Sequence, residues 1–364
     1  MALKTNPNLK KLHRVENKDV GRLGCLRLDK SENVVLFDKK TVNEIKASIT
    51  PELISSYPET WSLYQKMSKW LKRSTDNIYI SMGSDGAIKA TFEVFVGKGD
   101  EVVVLHPTYA MYYVYAEMFG AKVKKVTFTK ELDLDPEKIR KAITKKTQLV
   151  CIANPNSPTG TLIEKSQLRK IIAHAKKMNA VVLVDEAYFG YCTETFINET
   201  KRFSNLIVTR SFTKAYGLGS ARLGYAVAHK NIVADLKKVR PIYEVNSFAV
   251  LLGEYIIDHP QIFRKTMKLV KEGKKHLEQG LTKMGLDFFS SHGNFVNIKS
   301  PSPKHAAYVQ DALQKRKILI KSRFGKDTPL ANCFRVSLSQ KSDMALFLKN
   351  LKSVIGSVGY KKIR

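Results

Sequence analysis

TQLVCIANPNSPTGTLIEKSQLRKIIAHAKKMNAVVLVDEAY, residues 147–188, decides the fold. It opens on an apolar run over 147–153, passes a loop rich in Pro and Gly, takes up helical spacing over 165–178 and closes on the apolar run 181–184. Strand, loop, helix and strand in that order make one βαβ unit. The alternation continues upstream, with strands predicted at 77–81, 101–105 and 123–128 and helices at 87–96, 111–119 and 136–143. Downstream, Leu206-Ile207-Val208 is a further buried strand. The repetition predicts an α/β fold: a mostly parallel sheet with helices on both faces.

In such sheets ligands bind beyond the carboxyl ends of the strands. The polar residues just after the predicted strands are therefore the candidates: 83–86, 107–109, 154–160, 185–188 and 211–214. Gly83-Ser84-Asp85-Gly86 opens a helix, where free N–H groups and the positive dipole end suit a phosphate, although Ser and Asp also serve as ordinary caps. Asp185 ends a four-residue apolar run, so its carboxylate is desolvated and needs a cation, either a structural Arg or Lys or a protonated pyridine nitrogen.

Lys214 lies in TRSFTKAYGLGSARLGYA, residues 209–226. Read alone, it is a solvated surface lysine. A dinucleotide fingerprint fails, because Arg222 stands where the third glycine of GxGxxG belongs. The remaining reading is a Schiff-base lysine, with nearby hydroxyls and Arg222 on a phosphate.

Composition narrows the class. The chain has 364 residues, 43% of them hydrophobic, enough for a large core and a second, smaller unit. No uncharged apolar run approaches the roughly 18 residues of a membrane span. The N-terminal residues lack a signal-peptide core, so a cytoplasmic location is expected. Four scattered cysteines without a CxxC pair, and eight histidines without ligand spacing, give no support to a disulfide framework or a metal site. The net charge of +29 is the one argument for a nucleic-acid-binding protein, but no zinc finger, RRM signature or long basic tail concentrates it.

Residues 1–40 read as an arm, 41–247 as the large unit and 248–364 as a smaller α+β unit, with helix-rich sequence from 232 to 284 and strands near 288, 294–298, 318–321 and 333–338. Pro58 leaves Tyr57 extended.

NPNSPTG, VLVDEAYFGY and SFTKAYGLGSARLGYA, in this order, resemble the pyridoxal-phosphate (PLP) aminotransferases of fold type I. HPTYAMYYVYAE and VRPIYEVNS narrow the resemblance to the histidinol-phosphate aminotransferase group. It implies that Lys214 bonds PLP and shuttles a proton, Asp185 binds the pyridine N–H, Tyr109 stacks on the ring and Tyr188 bonds its phenolic oxygen. Ser84, Asp85, Ser211, Thr213 and Arg222 would surround the phosphate, with Tyr57 reaching it across a homodimer interface. Arg335 of CFRVSLS would take a substrate carboxylate or phosphate.

Four departures stand out against that family. Ser157, beside Asn156, occupies the place of the usual asparagine at the phenolic oxygen. Gly86 replaces a glutamate, and RLDKSEN lacks the proline- and glycine-rich turn that follows it elsewhere. ILIKSRFG carries Lys321 where an arginine is usual, which makes Arg323 a candidate substitute for gripping a phosphate. The expected reaction is amino transfer between an amino acid such as glutamate and a small phosphorylated oxo compound. A threonine- or serine-phosphate decarboxylase is the alternative, because the same site serves both.

Overall fold

The structure, a computed structural model, describes residues 5–12 and 21–356. Along the arm come two short 3-10 turns, Pro7–Lys11 and Arg22–Gly24, and strand β1, Leu26–Arg27. Helices α1 (Lys39–Ala47), α2 (Pro51–Ser55) and α3 (Trp61–Leu71) follow. The large unit continues with β2 (Ile78–Met82), α4 (Gly83–Phe95), β3 (Glu101–His106), α5 (Met111–Met118), β4 (Lys122–Thr127), α6 (Pro136–Ala142), β5 (Thr147–Ala153), α7 (Lys165–Lys177), β6 (Val181–Asp185), β7 (Leu206–Ser211) and β8 (Leu223–Ala228). Then come α8 (Lys230–Lys238), α9 (Ser247–Asp258) and α10 (Pro260–Lys283). The chain ends in β9 (Phe288–Phe289), β10 (Phe295–Lys299), α11 (Pro303–Gln314), β11 (Ile318–Leu319), β12 (Cys333–Ser337) and α12 (Lys341–Gly356).

Helix starts follow local chemistry. Asp38 caps α1 by accepting from the Thr41 N–H, and Thr50 and Ser302 cap α2 and α11, each with proline at the first helical position.

Seven strands form the main sheet in the order β2-β8-β7-β6-β5-β3-β4. Six run parallel, and β8 runs antiparallel between β7 and β2. The central strands are apolar on both faces. Val103, Val150, Ile152, Val182 and Val184 enter one core, while Val104, Leu149, Cys151 and Leu183 enter the other with Phe92 and Tyr112. Two-sided burial is why these strands read as unbroken apolar runs rather than alternating ones. Each such side chain contributes about 1.5–3 kcal/mol by leaving water.

Strand β8 was not separable in the sequence from the glycine-rich loop before it. All six of its residues are buried, and antiparallel pairing on both sides holds them in the sheet. The predicted strand 318–321 is shorter, Ile318–Leu319, and pairs in parallel with β1, which ties the arm to the smaller unit. That unit is an antiparallel sheet, β12-β10-β9, packed under α10, α11 and α12 through Leu277, Val296, Val309, Phe334 and Phe347. Helix α9 gives Ala249, Val250 and Ile256 to the large core, and α10 passes from one core to the other. The basic terminus Lys361-Lys362-Ile363-Arg364 and residues 13–20 of the arm lie outside the described residues.

Candidate active site

A cavity of about 430 Å³ opens at the carboxyl edge of the main sheet, between the two units. Most of the sequence candidates line it: Ser84, Asp85, Tyr109, Ser157, Asp185, Tyr188, Ser211, Thr213, Lys214 and Arg222 from the large unit, Lys321 and Arg335 from the smaller one. Every strand but β8 ends at this edge and β8 begins there, so Arg222 arrives beside the start of α4 although its strand runs backwards.

Asp185 is 4% exposed. Its carboxylate accepts from the Thr209 hydroxyl at 3.0 Å, the Ala187 N–H at 3.1 Å and the Tyr112 hydroxyl at 3.2 Å. No cationic side chain joins them among the described residues. Burial therefore prevails over these three donors and pushes the carboxyl up to about 6. Thr209 stands directly across from Asp185 in the ladder, and Tyr112 lies one helical turn beyond Tyr109. Neither was named from sequence, where the partner demand of a buried carboxylate pointed to a cation rather than to hydroxyl donors.

Lys214 is half-buried, and its amine donates to the Lys30 carbonyl at 3.1 Å and sits 5.9 Å from the centre of the Tyr188 ring. Burial lowers its affinity for a proton, offset in part by Tyr188. For Tyr188 burial acts upward, yet Lys214 and Arg335 together bring the phenol below its ordinary value. Its hydroxyl donates to Ser157 Oγ at 3.2 Å.

The phosphate candidates form a cup at the start of α4. Gly83 makes room for Arg222, whose Nη2 would lie 2.9 Å from a Cβ there. The Arg222 guanidinium donates to Thr213 Oγ1 at 3.2 Å and to the Gly219 carbonyl at 3.4 Å, with no carboxylate partner among the described residues. Tyr109 caps the cup by donating to Asp85 at 3.2 Å. Across the cavity, Arg335 donates to the Asp29 carbonyl at 3.1 Å and its Nε is buried without a partner. Burial lowers its proton affinity, as it does that of Lys321, whose backbone pairs with Arg335.

Three sequence candidates lie elsewhere. Asn156 is buried, with its amide engaged by Thr108, the Pro107 carbonyl and Thr159, so Ser157 alone of that pair faces the cavity. Arg323 turns outward and grips both oxygens of Asp311 at 2.8 Å. Its backbone is left-handed, φ 59°, and it is not among the residues that line the cavity with Lys321. Tyr57 is 75% exposed and stacks on Tyr243 at 4.5 Å, outside the cavity.

The donor set fits PLP. It offers an amine for the aldehyde, a buried carboxylate lacking a cation for the ring nitrogen, and a helix start with an unpaired guanidinium for the phosphate.

The chain matches the aminotransferase class I and II family over residues 29–351. It is 31% identical to the histidinol-phosphate aminotransferase of a Thermoanaerobacter species, over 90% of this chain and 93% of that one. Among solved structures it is similar to the histidinol-phosphate aminotransferase of Sinorhizobium meliloti in complex with pyridoxal-5'-phosphate, at TM-score 0.87 and 22% identity, covering 99% of each chain. The Clostridium acetobutylicum enzyme of the same name superposes at TM-score 0.80 and 24% identity, covering 91% of this chain and 99% of that one. Fold and family together define a PLP-dependent aminotransferase of fold type I. The chain belongs to the class I and II aminotransferases, in the group of the histidinol-phosphate aminotransferases. No group of three or more metal-ligating side chains occurs among the described residues, and none of the described helices is long and apolar enough to cross a membrane.

Proposed function

We propose that the chain moves an amino group between an amino acid donor and a small phosphorylated oxo acceptor, with histidinol phosphate and its oxo counterpart as the first pair to test. One observation carries this reading: the Lys214 amine shares its cavity with two separate sets of cations that lack carboxylate partners among the described residues, Arg222 at the helix start and Arg335 with Lys321 opposite. One set suits the cofactor phosphate. The other suits an anionic substrate.

PLP, when bound, supplies an electron sink beside the substrate carbon. Lys214 Nζ would be the group that bonds the aldehyde and, once displaced by the incoming amine, the base that would carry the substrate Cα proton. The Asp185 carboxylate would keep the ring nitrogen protonated, with Thr209 and Tyr112 fixing its two oxygens. Tyr109 would stack on the ring, and Tyr188 with Ser157 would bond the phenolic oxygen. The N–H groups of Ser84 and Asp85, with Ser211, Thr213 and Arg222, would hold the phosphate. Arg335 orients the substrate anion, and Lys321 adds a point charge rather than a bidentate fork.

The same reading makes the active unit a homodimer in the cytoplasm. Ile54, Tyr57, Trp61, Met82 and Ile242 are each at least 59% exposed, an apolar surface suited to a second copy that receives Tyr57. The sequence division into units 41–247 and 248–364 places α9 with the smaller unit, whereas α9 packs on the large core and α10 spans both.

The test is a screen of amino donors and phosphorylated acceptors against the PLP absorbance spectrum. Conversion of bound PLP to its amine form is expected, and Lys214→Ala should abolish it. A Lys214→Ala protein that turns over normally overturns the assignment, as does release of carbon dioxide from phosphothreonine without formation of the amine form.

A further inference from the structure

Two of the cavity cations lean on consecutive carbonyls of one turn in the arm. Lys214 of the large unit donates to Lys30 O at 3.1 Å, and Arg335 of the smaller unit donates to Asp29 O at 3.1 Å. The turn itself is held at every residue. The Ser31 N–H donates to Ser337 Oγ at 3.0 Å, and Asn294 Nδ2 donates to the Ser31 carbonyl at 3.0 Å. Ser31 is 1% exposed and takes a left-handed backbone, φ 54°, unusual for a residue other than glycine. Outside the cavity the turn is clamped by charge: Arg22 bridges Asp29, at 3.0 Å through Nη2, and Glu32, at 2.5 Å, while Arg27 Nε meets the other Glu32 oxygen at 2.9 Å. These groups are only 16–30% exposed, so they are partly shielded from solvent.

We propose that the turn 29–32 is a positioning element for proton transfer, and that Arg22 and Glu32 are positioning residues acting through it on Lys214. The inference rests on the reading of Lys214 as the proton-carrying amine. A lysine released from its bond has a long, flexible stem, and a fixed carbonyl gives its nitrogen one place to rest within reach of the substrate carbon. Shifting that carbonyl misplaces the amine without touching the phosphate cup. Because Arg335 leans on the adjacent carbonyl, the turn also relates the substrate anion site to the amine.

The experiment compares Arg22→Gln, Arg22→Lys and Glu32→Gln in the PLP-loaded enzyme, with Lys214→Ala alongside. A misplacement on the ångström scale costs up to about 100-fold in rate. Arg22→Gln is expected to lower kcat about 10- to 100-fold with KM for the amino donor within about threefold, and Arg22→Lys, which keeps one charge, to recover part of the loss. Glu32→Gln, the milder change, keeps the test alive if Arg22→Gln does not fold. A second readout uses cofactor-free protein: the rate at which Lys214 bonds added PLP, trapped with borohydride and weighed by mass spectrometry, should slow in the same order. Unchanged kcat and bonding rate in folded variants overturns the proposal, as does a lowered melting temperature with kcat intact or a change confined to KM. Normal turnover by Lys214→Ala would sink the underlying assignment instead, which keeps the two failures distinct.

Discussion

Gly224 offers the sharpest test of how the phosphate cup is built. It sits in β8 between Ser81 of β2 and Ser211 of β7, directly beneath the first turn of α4. A Cβ there would lie 2.2 Å from the Gly83 carbonyl carbon and 2.3 Å from the Ser84 nitrogen, both backbone atoms with no soft side chain to yield. To reach ordinary contact the start of α4 must retreat by roughly 1.2–1.8 Å. Overpacking of this kind costs about 1–3 kcal/mol of stability in the cofactor-free protein. The larger effect falls on binding, because the atoms displaced belong to the N–H groups facing the phosphate. A hydrogen bond to a charged group is worth about 1.5–3 kcal/mol, so misaligning one weakens PLP about 10- to 100-fold. The assay is titration of cofactor-free Gly224→Ala with PLP and, in parallel, with pyridoxal, which lacks the phosphate. The variant should lose PLP affinity while pyridoxal affinity changes little. PLP binding within twofold of the parent, or equal weakening for both ligands, would refute the argument.

Other consequences concern charge. Asp185 is raised from an ordinary 3.8 to about 6, so folding disfavours its ionised form. The stability tied to its neutral form is complete below the unfolded value, is lost as pH rises to about 6, and leaves a penalty of about 3 kcal/mol above that. Asp185→Asn should thus melt higher than the parent at pH 8 in the cofactor-free state while losing about 100-fold or more in transfer rate; a lower melting temperature would contradict this. Arg335→Gln should raise KM for the amino donor about 10- to 100-fold and spare PLP affinity, measured by the same titration. Arg323→Ala should leave kcat/KM within about twofold, since its partner is Asp311 at the surface, and a tenfold loss would return Arg323 to the site. Co-expressed Tyr57→Ala and Lys214→Ala chains should recover part of the activity that each lacks alone, measured on purified mixed dimers; no recovery would argue against a shared site.

The sheet was legible because its strands are buried on both faces. Val150 and Ile152 face one core, Leu149 and Cys151 the other, and such runs declare themselves without periodicity. Strand β8 escaped because Leu223-Gly224-Tyr225 carries the glycine that α4 demands, and a glycine after a glycine-rich loop looks like more loop. Most residues that line the cavity follow strands directly, so topology pointed to them. The contacts that sequence could not supply are those made across long separations. Lys30 meets Lys214 across 184 positions, and Tyr112 reaches Asp185 across 73. Arg323 is a similar case, since its bond to Asp311, 12 positions away, could not be read from its neighbours in sequence.

The reversed direction of β8 has a further effect. In a sheet of purely parallel strands, each connection leaves one edge and returns to the opposite one, so an amine and a phosphate ligand would come from different connections. Here the segment between β7 and β8 leaves and re-enters at the same edge, and it carries Lys214 and Arg222 together. Their separation in sequence acts as a ruler for the reach between the two ends of one small molecule. An insertion within it changes that reach at a stroke, whereas exchange of the whole segment moves both groups as a single cassette.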